Sequence, residues 1–432
     1  MKDSFKFNRR DFVKKTSLAA VGSTITINSL QSKALSEKLR VGIVGCGERG
    51  AGAIVNALAV SDAFNLVAMG DTFKDRLDKC YNDILPYDKK GQIKVDEKNK
   101  FVGFDAYQNV IDQSDVVFLV TPAPFRPMHF EAAIKAGKHV FMEKPVAVDV
   151  PGYHKIIEVG KLADDKKLNV VVGLQMRYKK SFQEMIKKIW EGAIGRIVSI
   201  DVYFNVGAPR IHPRKPGQTE MEYQMRNWRY FTWLWGGQLA GQTIHQMDVM
   251  NWLMKDYPVV AKGLGGRQTF EGPNQGNTWD HHFTEFEYQN GVKMHVQSFT
   301  MDRCWGRMGF YVQGTEGSAD EHNRIYDLDK TVTWNWRDRD DPNEYEVEHD
   351  VLFKAILNGD HVNDTEHGAK STLTTIMGRM AMHSGRIMTL DEVLQSERSL
   401  LPKEFTWDTE MPDMPDANGN YQIAKPGITK VL

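Results

Sequence analysis

The chain has 432 residues, 41% of them hydrophobic and 26% charged, with a formal net charge of -1. That length suits two or three domains with sizeable cores, and two is the simplest count. The near-neutral balance removes any electrostatic case for nucleic acid or an anionic membrane surface as partner, and no apolar run of the folded part is long enough to span a bilayer.

The N-terminus carries Arg9 and Arg10 followed by Phe12, then a moderately apolar stretch from Ser17 to Leu30, then Ser32-Lys33-Ala34. A basic region, an apolar region and a small-residue exit make a secretory signal, and the paired arginines are of the twin-arginine type. Residues 1–38 are therefore expected to be signal and linker, and the mature protein periplasmic. The alternative is a basic tail ahead of the first strand on a cytoplasmic protein. Twin-arginine export moves proteins already folded, so an enzyme exported this way is expected to keep its cofactor. The three cysteines, Cys46, Cys80 and Cys304, are odd in number and lack metal-like spacing. They are expected as buried, unpaired thiols, with no disulfide framework and no zinc site.

Leu39 to Val44 is a short buried-strand pattern running into Gly45-Cys46-Gly47-Glu48-Arg49-Gly50, and helical spacing follows from Ala51 to Val60. A G-x-G-x-x-G turn between strand and helix is the dinucleotide fingerprint. Gly45 permits the tight turn, Gly47 the approach of a pyrophosphate, and Gly50 close helix packing, with the helix N-terminus facing the phosphates. The next strand ends at Asp71, about twenty residues past the glycines. A carboxylate there accepts from ribose hydroxyls and repels a 2'-phosphate, so NAD is expected over NADP, although Lys74 and Arg76 lie close by. The alternative role for Asp71 is to cap the helix starting near Phe73. A strand from Asp115 to Val120 ends at Thr121-Pro122, Met128 to Gly137 reads as a helix, and Lys138 to Met142 reads as a strand ending in Glu143-Lys144-Pro145. Residues 39–148 are expected to form the Rossmann domain.

A second domain is expected over 149–432. Asn169 to Leu174 is a strand followed by Gln175, Met176, Arg177 and Tyr178. Arg196 to Val206 alternates like an amphipathic strand, with further strands at Val259–Gly263, His281–Tyr288, Val292–Phe299 and Phe310–Gln313. Helices are expected over Tyr345–Leu357 and Ala369–Arg386. Tryptophans crowd the middle: Trp228, Trp233, Trp235 and Trp252, with Trp279 and Trp305 later. Flat aromatic faces suit sugar rings, and core packing is the competing explanation. From Leu239 the chain looks helical, which sets His245 one turn after Gly241 and Asp248 nearly one turn further. Asp248 either orients the imidazole or caps and packs. Trp279-Asp280-His281-His282 is a candidate for extra substrate contacts through His281. A metal on His281 and His282 is not expected, because adjacent strand residues face opposite ways.

Gly45 to Gly50, Thr121-Pro122, Glu143-Lys144-Pro145 and the stretch from Gly236-Gly237 to Asp248 together resemble the glucose-fructose oxidoreductase and inositol dehydrogenase (Gfo/Idh/MocA) family, over nearly everything from Leu39 onward. The resemblance implies an α/β fold: an N-terminal Rossmann domain and a C-terminal α+β domain with a large, mostly antiparallel open sheet. It implies that Lys144 lies beside the nicotinamide and contacts the substrate. Cofactor contacts then fall to Gly45, Gly47, Glu48, Arg49, Gly50, Asp71, Thr121, Pro122, Glu143 and Lys144. The residues just after the Asn169–Leu174 strand are implied to lie near the cleft, so Arg177 and Tyr178 join Trp235, Gln242, His245, Asp248 and His281 as substrate candidates. A structural salt bridge is the other role for Arg177. His245 matches the family's proton-handling histidine, and a core histidine is the other reading. The family's acid three residues or so ahead of that histidine has no counterpart, for Gly241 stands there and Gln242 is no base. Members of the family are often homo-oligomers through the open sheet.

Three functions follow from these expectations. The first is an NAD(P)-dependent oxidoreductase acting on a sugar, with Lys144 and His245 as catalytic residues handling the proton. The second is an NAD-dependent glycoside hydrolase, which oxidises carbon 3 transiently, eliminates, adds water and re-reduces. The third is a non-catalytic sensor on the same fold.

Overall fold

The computed structural model describes residues 38–337 and 341–432, so the expected export signal lies outside the described residues. The first body alternates β1 (Leu39–Val44), α1 (Glu48–Val60), β2 (Phe64–Asp71), α2 (Lys74–Ile84), β3 (Lys100–Val102), α3 (Ala106–Gln113), β4 (Val116–Leu119), α4 (Arg126–Lys135), β5 (His139–Met142), α5 (Val150–Asp165) and β6 (Val170–Val172). The strands form a parallel sheet in the order β3-β2-β1-β4-β5-β6. The order reverses between β1 and β4, which opens a crevice at the carboxyl ends of those strands. Val41, Ile43, Val116, Val117, Phe118, Val140 and Phe141 are fully buried, as the continuous apolar runs require for a sheet covered on both faces.

Two features move the expected boundary at residue 148. Strand β6 pairs with β5, so the first sheet runs to Val172. Helix α10 (Glu344–Asn358), far along the chain, also returns to this body. Its Phe353 stacks on Phe64 at 4.8 Å and its His349 on Phe118 at 5.1 Å, completing one helical layer beside α1. The Rossmann body is thus assembled from two separated segments.

The second body holds α6 (Lys180–Trp190), β7 (Ile197–Val206), α7 (Glu220–Arg226), α8 (Thr232–Trp235), a π-helical segment Leu239–Thr243 and α9 (Ile244–Met254). Strands β8 (Val260–Gly266), β9 (His281–Glu287), β10 (Lys293–Thr300), β11 (Arg307–Gly314), β12 (Ser318–Asp320), β13 (Arg324–Tyr326), β14 (Val332–Asn335) and β15 (Met388–Thr389) build its sheet, with α11 (Thr365–Ser384) and α12 (Leu390–Leu394). The order is β14-β13-β12-β11-β7-β10-β9-β8-β15. Only β10 and β7 pair in parallel, and every other pairing is antiparallel. This is the expected α/β fold with its mostly antiparallel second sheet. Residues of α9 and α11 cover one face and share a continuous core with α4 and α5 of the first body. The other face is open, where Leu264, Phe283 and Met308 are each more than half exposed. Among the described helices none is long and apolar enough to cross a membrane. All three cysteines are free; Cys46 and Cys80 are buried, whereas Cys304 is exposed beside β11, contrary to expectation.

Candidate active site

A cleft of about 790 Å³ runs from the glycine turn of the first body to α9 of the second. Its floor is the turn itself. Gly45 has φ +100°, and a Cβ there would meet the backbone of Val120 and Thr121 at 2.6 Å. At Gly50 a Cβ would stand 2.1 Å from Gly45 O, so helix and turn are in contact. At Gly47 a Cβ would meet nothing within 4 Å, so this residue faces open space in the cleft. Close packing behind the turn and room before it are what a pyrophosphate at a helix N-terminus requires, and the residues present fit a dinucleotide.

Asp71 ends β2 at the rim of this cradle. Its Oδ2 accepts from Cys46 N at 2.7 Å and its Oδ1 from Phe73 N at 2.8 Å. The carboxylate therefore locks the turn and the entry to α2 together while lining the cleft; it does not cap α2, whose N-cap residue is Phe73 with no side-chain cap. Burial pushes its carboxyl above the ordinary range, opposed by the two amides and by Arg76.

Glu143 and Lys144 follow β5. Arg49, from the turn, pairs through Nε with Glu143 Oε1 and through Nη2 with Glu348 Oε1, the latter at 3.2 Å. Burial alone would raise Glu143, but the Arg49 and Lys144 cations hold it below the usual carboxylate range. Glu348 is held well above that range by burial, which the more distant Arg49 contact does not offset. One guanidinium thus joins the glycine turn, the loop bearing Lys144, and α10. The Lys144–Pro145 peptide is cis, and Lys144 Nζ donates to Gly241 O at 2.9 Å. An ammonium has three donors, so two more are available to a ligand. Burial pulls Lys144 down to about 8; Glu143 opposes this, and Arg49, Arg126 and Arg229 add to it. Arg126 is buried and donates to Thr121 O and Pro145 O, tying the loops after β4 and β5.

His245 lies one turn beyond Gly241 and lines the same cleft. Burial, with the Lys144 and Arg49 cations, keeps its pKa well below the ordinary value, so the imidazole is neutral. Its Nδ1 is buried and has no hydrogen-bond partner among the described residues. Gly241 has a positive reason to be glycine. A Cβ there would stand 1.7 Å from Trp235 Nε1. The indole fills the volume a side chain at 241 would occupy, so an acid at that position is sterically excluded. Gly236, with φ +77°, caps α8 and lets the chain reverse immediately after Trp235.

Of the residues singled out in the sequence, Gly45, Gly47, Glu48, Arg49, Gly50, Asp71, Thr121, Pro122, Glu143, Lys144, Trp235, Gln242 and His245 line the cleft. Arg177, Tyr178, Asp248 and His281 do not. Arg177 Nε and Nη2 donate to Asp248 Oδ2 and Oδ1 at 2.7 and 2.8 Å, and Ser371 Oγ donates to Oδ1 at 2.6 Å. The pair is a buried structural ion pair, so Asp248 engages Arg177 and not the imidazole. Tyr178 donates its hydroxyl to Asp364. His281 Nδ1 lies 2.8 Å from Asp280 Oδ1, and the side chain, 41% exposed, is on the outer face of β9 with Phe283. Of the six tryptophans singled out in the sequence, only Trp228 and Trp235 reach the cleft. Trp233 and Trp279 are core residues, and Trp305 is exposed. Sequence reasoning passed over Arg126, Arg210, His212, Arg229 and Tyr345 as cleft residues. The only local signal was the basic stretch Arg210 to Lys215, which has no motif form.

A glycine turn, the Asp71 carboxylate beside it and a lysine–histidine pair lining one cleft mark a dinucleotide-dependent oxidoreductase of two-domain type. Comparison with known proteins gives the family. Residues 39–174 match the model of an oxidoreductase family with an NAD-binding Rossmann fold, and residues 182–320 match the GFO/IDH/MocA C-terminal domain. The chain belongs to the GFO/IDH/MocA family, and NAD is its cofactor. It is 26% identical over 328 residues to an inositol 2-dehydrogenase of Cereibacter sphaeroides, covering 74% of this chain and 86% of that one. It is 28% identical over 207 residues to the 2,7-anhydro-N-acetylneuraminate hydratase of Escherichia coli, a match spanning 47% of this chain and half of that relative's length. An aldose-aldose oxidoreductase from Caulobacter crescentus shares the fold with TM-score 0.63 at 20% identity, over 82% of this chain and all of that one.

Proposed function

We propose that the protein oxidises a hydroxyl on a sugar ring, or reduces the corresponding ketone, with NAD as the redox partner. The observation that carries this reading is the joint placement of Lys144 and His245 in the cleft that begins at the glycine turn. NAD, when bound, supplies the hydride acceptor at the ring carbon. The turn residues Gly45 to Gly50 and Asp71 would hold it, with Thr121, Pro122 and Glu143 alongside. His245, neutral because it is buried, accepts the hydroxyl proton. Lys144, anchored to Gly241 O, turns its remaining N–H groups to the oxygen on which negative charge develops. Arg49 fixes the residue before Lys144 through Glu143, and Arg126 holds the residue after it through Pro145 O. Trp228 offers an apolar face to the C–H side of the ring.

A second reading is favoured by one observation, the exclusion of an acid at 241 by Trp235. A site without the acid–histidine pair suits a cycle with no net oxidation, in which a glycosidic or anhydro bond is eliminated and water added. The hydratase relative supports this alternative. The two separate in one experiment. The protein is incubated with sugars and aryl glycosides, with and without added NAD, and the products are weighed by mass spectrometry. Keto-sugar formed in step with NADH supports the oxidoreductase; free sugar without net oxidised product supports the second reading.

The N-terminal sequence further supports export to the periplasm with a resident cofactor, testable by fractionation and by nucleotide released on denaturation. The exposed apolar residues of the open sheet support self-association through that face, testable by sedimentation of wild type and Phe283→Glu.

A further inference from the structure

The two walls of the cleft differ in charge. All its carboxylates, Glu48, Asp71, Asp75, Asp83 and Glu143, come from the first body. The second body lines it with Arg210, Lys215, Arg226 and Arg229 and with no carboxylate. Arg226 is taken up by Asp75 and Glu222, near the glycine-turn end. Arg229 is different. It lies against the Trp228 ring, 5.1 Å from its centroid, and Trp228 in turn meets Trp235 edge-on at 6.4 Å. Arg229 Nε is buried with no hydrogen-bond partner among the described residues, and so is Trp235 Nε1. Trp235 is 2% exposed and lines the cleft. Lys144 stands next, holding Gly241 O, close enough for Arg229 to act on its charge.

A buried donor left unpaired is unfavourable unless a ligand completes it. Here Arg229 and Trp235, each with an unpaired buried donor, line the cleft beside the Lys144 ammonium, and the side chain that could have accepted hydroxyl protons at 241 is excluded. A sugar hydroxyl both donates and accepts, so a wall of donors satisfies it only in part. A carboxylate is acceptor-only and matches the wall fully, with a guanidinium as its best partner.

We propose that the sugar taken by this cleft carries a carboxylate, as a hexuronic acid does, and that Arg229 and the Trp235 indole N–H hold that group. The inference rests on the sugar-oxidoreductase reading and names its substrate class. Arg229 and Trp235 are then specificity-determining residues, and Lys144 and His245 face a ring carbon instead of the acid group.

The test is equilibrium binding to the NAD-loaded protein by calorimetry, with glucuronate and galacturonate against glucose, galactose and the two uronamides. A uronate is expected to bind about 10–100-fold more tightly than its neutral parent and its uronamide. Arg229→Gln is expected to abolish that preference and Arg229→Lys to restore part of it, with nucleotide content and Tm recorded as checks on folding. A panel in which no uronate binds more tightly than its neutral parent overturns the proposal. So does a preference that survives in Arg229→Gln. If that variant does not fold, the uronate-to-uronamide ratio of the wild-type protein decides. NADH absorbance is read in parallel. Turnover of a neutral sugar with no uronate preference sinks the carboxylate and leaves the redox reading intact. A tightly bound uronate that yields no NADH keeps the carboxylate and sinks the redox reading.

Discussion

Gly241→Ala is the smallest change that reaches the centre of the site. The new Cβ would stand 1.7, 2.2 and 2.4 Å from Nε1, Cε2 and Cδ1 of Trp235. No carbon atom tolerates such contacts, so either the indole or the π-helical segment Leu239–Thr243 must move. Trp235 is 2% exposed and Trp228 stands edge-on to it, so the ring has little free volume to enter. Overpacking of this kind destabilises by about 1–3 kcal/mol. In a cooperative unit of this size that lowers Tm by about 1–4 °C. Trp235→Leu alone empties the same volume and destabilises by about 3 kcal/mol through lost burial and a cavity. In the double variant the methyl group added at position 241 enters the vacated space, so the two effects are not additive, with a coupling of about 1–3 kcal/mol. Thermal and urea unfolding of the four proteins measures that coupling. An alanine variant with wild-type Tm, together with an additive double variant, would refute the claim that the indole occupies the side-chain position of residue 241.

The alkaline limb of kcat/KM for alcohol oxidation should fall near pH 8, because Lys144 acts as the ammonium and loses its proton there; Lys144→Met should lower kcat/KM about 100-fold or more without that limb. Arg49→Met leaves Glu143 and Glu348 buried without their shared cation, which should destabilise by about 3–5 kcal/mol in urea titration and lower the nucleotide content of the purified protein. His349 is fully buried between Phe118 and Phe141, with both ring nitrogens unpartnered among the described residues. Its folded pKa lies well below the ordinary value because of burial. The unfolded chain therefore binds the extra proton as pH falls below about 6.5, and each such group removes up to about 1.4 kcal/mol of stability per pH unit there. His349→Phe should flatten the loss of Tm between pH 6.5 and pH 5 and leave Tm at pH 8 unchanged or higher; a steeper loss would contradict the neutral, unpaired imidazole.

The first body was legible because its signals are local. Strand, glycine turn, helix and Asp71 lie within 33 consecutive residues, 39 to 71, and each carries its own physical requirement. The boundary at 148 failed for the opposite reason. β6 and α10 join the first body through contacts with β5, Phe64 and Phe118, and nothing in their own sequences names that partner. Arg177 and Asp248 show the same limit: 71 residues apart, each reads as a site residue alone, and only their ion pair makes them structural. The lack of an acid at 241 was visible in the sequence, but its cause was not, because the indole that fills the space comes from a turn that two left-handed glycines reverse. Arg229 was passed over because an arginine beside tryptophans has no spacing to mark it.

The central claim is that hydride passes between a sugar ring carbon and NAD in the cleft shared by Lys144 and His245. The most direct measurement uses a carboxylated sugar and its neutral parent, each deuterated at the ring carbons, with NAD and the purified protein, and follows the label by mass spectrometry. The account expects deuterium in NADH in step with keto-sugar, and its loss in Lys144→Met and His245→Gln. Sugar released or hydrated with no deuterated NADH and no ketone accumulating would contradict it.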